Sequence, residues 1–111
     1  MKESKRRRLE AAGWKVGSVA EFLALSDEEA AVIELKLDLA EAVRTERARR
    51  RLTQKELAKA LRSSQSRVAK MEAGDASVSL DLMIRTLLRL GASRRDLVRH
   101  LIAGRTRRAA A

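Results

Sequence analysis

The stretch from Leu52 to Gly74 constrains this chain more than any other. In order it reads Leu-Thr-Gln-Lys-Glu-Leu-Ala-Lys-Ala-Leu-Arg-Ser-Ser-Gln-Ser-Arg-Val-Ala-Lys-Met-Glu-Ala-Gly. Thr53 can accept a bond from the backbone N–H three residues on, and Glu56 at that third position can reach back to the Thr53 N–H, a reciprocal cap that starts a helix. Leu57, Ala58 and Leu61 then recur at helical spacing, and the small Ala58 lets a second helix cross close by. The polar run Arg62-Ser63-Ser64 interrupts the pattern. Ser64 is a good N-cap for a second short helix that turns Val68 and Met71 inward, and Gly74 fits the position just past its end. With Val68 and Met71 facing a core, Gln65, Ser66, Arg67 and Lys70 fall on the far or flanking sides, where they could read base edges.

The flanking sequence is helical by the same criteria. The chain has 111 residues, no proline and five glycines, enough for one small all-α domain and short for two. Aromatic residues are only 2% of the chain, so the core must be built from Leu, Ile, Val, Ala and Met. Ser26-Asp-Glu-Glu29 opens the longest helix, running to about Arg50. Val32, Leu35, Leu39 and Val43 form one apolar stripe on it, and Ile33, Leu37 and Ala40 an adjacent one. Its acidic residues fall early (Asp27, Glu28, Glu29, Glu34, Asp38, Glu41) and its basic ones late (Arg44, Arg47, Arg49, Arg50, Arg51), which suits the helix dipole and points a basic end toward the central motif. After Gly74, Asp75-Ala-Ser-Val78 is a loop. Ser79 caps a helix carrying Leu80, Met83, Ile84, Leu87 and Leu88 and stopped by Gly91. Ser93-Arg-Arg-Asp96 opens a last helix with Leu97, Leu101 and Ile102 inward, expected to end at Gly104.

Ahead of the long helix, Trp14-Lys-Val16 reads as a short extended piece between Gly13 and Gly17, and Ser18-Val-Ala-Glu21 caps a short helix through Phe22, Leu23 and Leu25. Trp14 and Phe22 either cover the domain core or, with Leu23, contact a partner or a second subunit, since aromatic residues anchor interfaces. Residues 1–12 can bury so little that the ordering cost of roughly 1–2 kcal/mol per residue is not offset locally. They are a solvated tail, an arm on a DNA backbone, or a segment that orders on a protein. The expected organisation is a 1–26 extension, a 27–104 domain and a 105–111 basic tail.

Lys and Arg number 25 against 15 Asp and Glu, a net charge of +10. That balance attracts nucleic acid or an anionic surface without choosing between them. No apolar run is long enough to span a bilayer, and the basic start at Lys2, Lys5, Arg6, Arg7 and Arg8 lacks the apolar segment of a secretory signal, so a cytoplasmic, nucleoid-associated protein is expected. There is no cysteine, and His100 is the single histidine. It is expected at the surface or a helix end, not as a ligand or base, so neither metal nor cofactor is expected. No serine has a histidine at motif spacing and no glycine-rich phosphate loop occurs, which points away from an enzyme.

Leu52-Thr-Gln-x-Glu-Leu-Ala, Ser64-Gln-Ser, Met71-Glu-x-Gly and Ser79-Leu-Asp together resemble the Xre/Cro-type helix-turn-helix family of repressors and antitoxins, over roughly residues 37–98. The resemblance implies a five-helix bundle that binds double-stranded DNA, with the residues matching Gln65, Ser66 and Lys70 facing the major groove and a glutamine at the place of Gln54 bonding a phosphate. Arg50, Arg51, Ser63 and Ser64 are expected beside Gln54 on the phosphates. One such helix reads few base pairs, so a homodimer on a palindromic operator is expected. The family usually has glycine where Arg51 and Arg62 stand, and commonly an apolar residue where Ser63 stands. Arginine held in the left-handed region costs about 1 kcal/mol relative to glycine. Phe22-Leu-x-Leu-Ser-Asp-Glu-Glu29, the long helix and Ser64 to Glu72 resemble HigA-like antitoxins within that family. This implies a RelE/HigB-type ribonuclease toxin as partner and DNA binding for autoregulation. The other reading is a stand-alone phage-type or metabolic repressor of the same family, without a toxin.

Overall fold

A computed structural model describes residues 26–110, with side chains as far as Arg107. Five helices and no strand occur among them: α1 (Asp27–Arg49), α2 (Gln54–Ala60), α3 (Gln65–Glu72), α4 (Leu80–Arg89) and α5 (Arg94–Ala110). Each begins at a hydroxyl that accepts the N–H three residues on. Ser26 Oγ takes the Glu29 N–H at 3.0 Å, Thr53 Oγ1 that of Glu56 at 3.0 Å, Ser64 Oγ that of Arg67 at 3.1 Å, Ser79 Oγ that of Leu82 at 3.1 Å and Ser93 Oγ that of Asp96 at 3.1 Å. The reciprocal bond is present twice, Glu56 Oε1 accepting from Thr53 N–H at 2.9 Å and Asp96 Oδ2 from Ser93 N–H at 2.8 Å. These bonds satisfy N–H groups that a helix start leaves without intrahelical partners.

The first four helices end alike. The residue following each C-cap (Arg50, Leu61, Ala73 and Leu90) has positive φ: Arg51 (55°), Arg62 (55°), Gly74 (66°) and Gly91 (94°). The N–H of the next residue reaches back five positions, from Leu52 to Arg47 O (3.2 Å), Ser63 to Ala58 O (2.8 Å), Asp75 to Lys70 O (3.0 Å) and Ala92 to Leu87 O (3.0 Å). This left-handed closure pairs last-turn carbonyls that would otherwise be unsatisfied. Both arginines therefore do occupy the conformation that favours glycine.

α1 packs against α3, α4 and α5, and α2 packs against α3. The core is aliphatic and continuous through all of these contacts: Leu39, Ala40, Ala42 and Val43 of α1, Leu57 and Ala58 of α2, Val68 and Met71 of α3, Val78, Met83 and Leu87, with Leu90 and Ala92. Leu52, Leu61, Leu80, Leu82, Leu97 and Leu101 close its rim. Ala58 is buried where α2 meets α3, as its size allows.

Three expectations need correction. α5 does not stop at Gly104 but continues to Ala110, taking in much of the 105–111 stretch read as a tail. Gly104 is instead buried against Asp38 of α1. Ile84, Leu88 and Ile102, expected inward, are exposed, as are Val32 and Leu35 at the start of α1. Successive apolar positions span a wider arc than one neighbour covers, so on α4 Met83 and Leu87 take the core and Ile84 and Leu88 flank it. His100 is neither at a helix end nor fully exposed: it is half-buried within α5, its Nε2 lying 2.7 Å from Glu46 Oε2. Trp14, Phe22, Leu23 and the Ser18–Leu25 segment lie outside the described residues. No helix among the described residues is long and apolar enough to cross a membrane.

Candidate nucleic-acid interface

α3 turns two faces in opposite directions. Val68 and Met71 are sealed in the core at 0% and 1% exposure, and Gln65, Ser66, Arg67, Ala69 and Lys70 are exposed. Exposure alone describes any amphipathic helix. What sets α3 apart is how firmly its end is held. Glu72, 3% exposed, receives Arg47 through two bonds, Nε to Oε2 at 2.6 Å and Nη2 to Oε1 at 3.0 Å, and the Gln54 amide Nε2 donates to the same Oε1 at 3.1 Å. The Arg44 guanidinium donates to the Glu72 carbonyl oxygen and pairs with Glu41. Arg47 Nη1 donates to Leu52 O at 2.9 Å, tying the same side chain to the entry of α2. One buried carboxylate thus joins α1, α2 and α3. A planar, bidentate guanidinium fixes direction as well as distance. The pairing raises the Arg47 pKa, chiefly through the bonds it donates to Glu72.

The residues expected on phosphates divide in two. Ser63 and Arg51 are exposed, and Ser64 is exposed while capping α3. Gln54 is half-buried, one amide N–H spent on Glu72 and a second N–H left to donate. Arg50 is exposed but tethered to its own helix: its Nη1 donates to Glu46 Oε1 at 2.6 Å and to Glu46 O at 3.0 Å. Its Nη2 lies 3.2 Å from where a Cβ on Gly91 would be. The basic end of α1 is therefore extensively paired, with Arg44, Arg47 and Arg50 bonded to Glu41, Glu72 and Glu46.

Sequence reasoning passed over two kinds of residue here. Arg47 and Glu72 organise the site but stand 25 positions apart, and neither position carries a local signal for the other. Lys55, Lys59 and Arg62, on α2 and just past it, add exposed positive charge to that of Arg67 and Lys70 on α3, which a count of basic residues along 52–74 would have flagged. Among the described residues none of these five makes an ion pair, and Glu56 is held at its cap with its pKa lowered by the Thr53 bonds. The surface around α3 is net positive. No group of side chains among the described residues is arranged to hold a metal ion.

A clamped two-helix unit with a polar, basic outer face fits what the comparison with known families finds. A family model described as a helix-turn-helix domain matches residues 22–93, well over half of the chain. The chain belongs to the helix-turn-helix domain family. A helix-turn-helix domain suggests a DNA-binding regulator, with α2 and α3 as the two helices of the motif. Neither the curated proteins nor the solved structures yield a match.

Proposed function

We propose that this helix-turn-helix protein is a sequence-specific transcriptional repressor, not an enzyme, that reads the major groove with α3. The observation that carries the reading is the division of α3: Val68, Met71 and Glu72 are locked into the body, and Gln65, Ser66, Arg67 and Lys70 project from it unobstructed. A groove-reading element must be rigid where it joins the domain and free where it meets the bases. Gln65 can pair bidentately with adenine N6 and N7, and Arg67 or Lys70 can reach guanine or phosphate. Gln54, Arg51, Ser63 and Ser64 set register on the backbone. Arg50, exposed although its Nη1 is held by Glu46, can join that set through its other N–H groups. The same arithmetic of few base pairs per helix makes the functional form a homodimer on a palindromic operator, with half-sites about 34 Å apart, in the cytoplasm at the nucleoid.

The test is selection from random duplexes, followed by titration of the selected site against random DNA. Gln65→Ala should lose about 1–3 kcal/mol on the selected site and far less on random DNA. Equal losses on both would remove base reading by this residue.

Within that function the antitoxin role is favoured by the likeness of residues 22–29 and 64–72 to HigA-like proteins. The partner would be a RelE/HigB-type ribonuclease contacted through residues 1–26, with Trp14, Phe22 and Leu23 in the contact. Co-expression with a ribonuclease encoded beside this chain tests it: relief of growth arrest by the full chain and not by residues 27–111 supports the role, and no relief by either removes it.

A further inference from the structure

Two of the four left-handed helix closures carry glycine and two carry arginine, and the difference is informative. At Gly74 a Cβ would lie 3.0 Å from Leu37 Cδ2 and at Gly91 3.2 Å from Arg50 Nη2, both ends of side chains, so a larger residue at either would need its neighbour to shift by a few tenths of an ångström. Arg51 and Arg62 are exposed, where glycine would also fit and would relieve the strain of φ 55°. Each arginine instead keeps a conformation that a side chain disfavours. Neither guanidinium makes a hydrogen bond or ion pair among the described residues, so no internal side-chain contact offsets the strain. A cation past a helix end does gain from the helix dipole, but at an exposed position that gain is small and screened by salt. Strain kept without an internal return is a pointer to function.

Their position says which. Arg51 and Arg62 bracket α2, a seven-residue helix about 10 Å long. Arg62 stands two residues before Ser64, the cap of α3, and three before Gln65. In helix-turn-helix docking the first helix crosses the sugar-phosphate backbone and the N-terminal residues of the second meet the base edges. The two ends of α2 are then where a cation meets phosphate. We infer that Arg62 is a DNA-phosphate contact and that Arg51 and Arg62 form a pair, one at each end of α2, in which intrinsic stability is exchanged for electrostatic affinity. The inference rests on the DNA-binding reading but assigns Arg62, which that reading does not use.

The experiment uses the full chain and a labelled random-sequence duplex, with binding measured across salt from about 50 to 200 mM. Arg62→Gly removes charge and strain, Arg62→Ala removes charge and keeps the strain, and Arg62→Lys keeps both; the same three changes are made at Arg51. Each Gly or Ala change should lower the slope of log affinity against log salt by about 0.9, and each Lys change should keep it. Over that fourfold salt range each lost contact makes the fall in affinity about threefold shallower. The Gly variants should melt at or above the parent temperature, which shows that any loss of affinity is not a loss of fold. A parent with a steep slope that the Gly and Ala variants share overturns the pair and leaves the DNA-binding reading intact. A parent with no salt-dependent binding overturns both.

Discussion

Gly104 lies directly over the carboxylate of Asp38, a buried residue on the facing helix. A Cβ placed on Gly104 would fall 2.8 Å from Asp38 Oδ2 and closer still to Oδ1 and Cγ. On an exposed helix Gly→Ala gains about 1 kcal/mol from propensity. Here the α1–α5 contact reverses the sign, because Asp38 is short, 4% exposed and has little room to move. Gly104→Ala should destabilise by about 1–3 kcal/mol, the usual cost of overpacking, and lower the melting temperature by several degrees. In a double-mutant cycle with Asp38→Ala part of that loss should return, since the two changes share one clash. A melting temperature at or above the parent would show that α5 can slide off α1 at no cost.

That contact also marks where the sequence ceases to be legible. Every helix start could be read from Ser26, Thr53, Ser64, Ser79 and Ser93, because a cap is a bond between residues three apart. The two faces of α3 could be read as well, since Val68 and Met71 sit one turn apart among polar neighbours. What could not be read is long-range. Gly104 looks like a terminator until Asp38 is placed opposite it. Arg44 and Arg47 look like free basic charge until Glu72 is brought to them, and His100 meets Glu46 across 54 positions. Periodicity likewise shows that α4 has an apolar side but not how much of it a neighbour covers, so Ile84 and Leu88 could not be separated from Met83 and Leu87.

Glu46 gives the domain an acid limit. It is 1% exposed, and burial alone would push its pKa up. The bonds from Arg50 and His100, with the charges of Arg49 and Arg50, outweigh burial and hold the pKa below the usual carboxylate value. The folded state therefore binds this proton less readily than the unfolded chain, so the contribution is fully present above the ordinary carboxylate value and is lost as pH falls from there through the lowered folded-state value. Denaturant unfolding at neutral pH and at steps down through pH 5 to about 3 should show stability declining, and Glu46→Gln should flatten part of that decline. At neutral pH the same variant should cost about 1–3 kcal/mol, as a buried charge-assisted network loses its centre. An unchanged acid limb in the variant would place the proton uptake elsewhere.

Ser64 separates folding from binding at the start of α3. Its hydroxyl accepts the Arg67 N–H at 3.1 Å, and Ser64→Ala should cost about 0.5–2 kcal/mol as that bond is lost. Aspartate is an equally good N-cap and its charge suits a helix start, so Ser64→Asp should keep the melting temperature near that of the parent. On the proposed interface the same aspartate would face phosphate. Its affinity for duplex DNA should fall by an order of magnitude or more while the fold is unchanged. Undiminished affinity in Ser64→Asp would mean that this end of α3 does not approach the backbone.

The Arg47–Glu72 pair supports the strongest stability prediction, and its direction depends on how it is broken. Removing one partner strands a charge that the fold has already desolvated, which costs about 3–5 kcal/mol. Arg47→Ala should do this to Glu72, which then keeps only the Gln54 amide on its carboxylate. Arg47→Lys keeps the charge but cannot span both Glu72 oxygens and the Leu52 carbonyl at once, so it should fall between the parent and Arg47→Ala. Replacing both partners by apolar residues, Arg47→Met with Glu72→Leu, removes the desolvation cost along with the attraction and should recover much of the stability. It should not recover specific DNA binding, because an apolar contact no longer ties Gln54 and the entry of α2 to the end of α3. Chemical unfolding and binding to a selected duplex, measured on all three variants, separate the two effects. If the double variant is stable and still discriminates its site from random DNA, the pair holds the fold together without aiming α3.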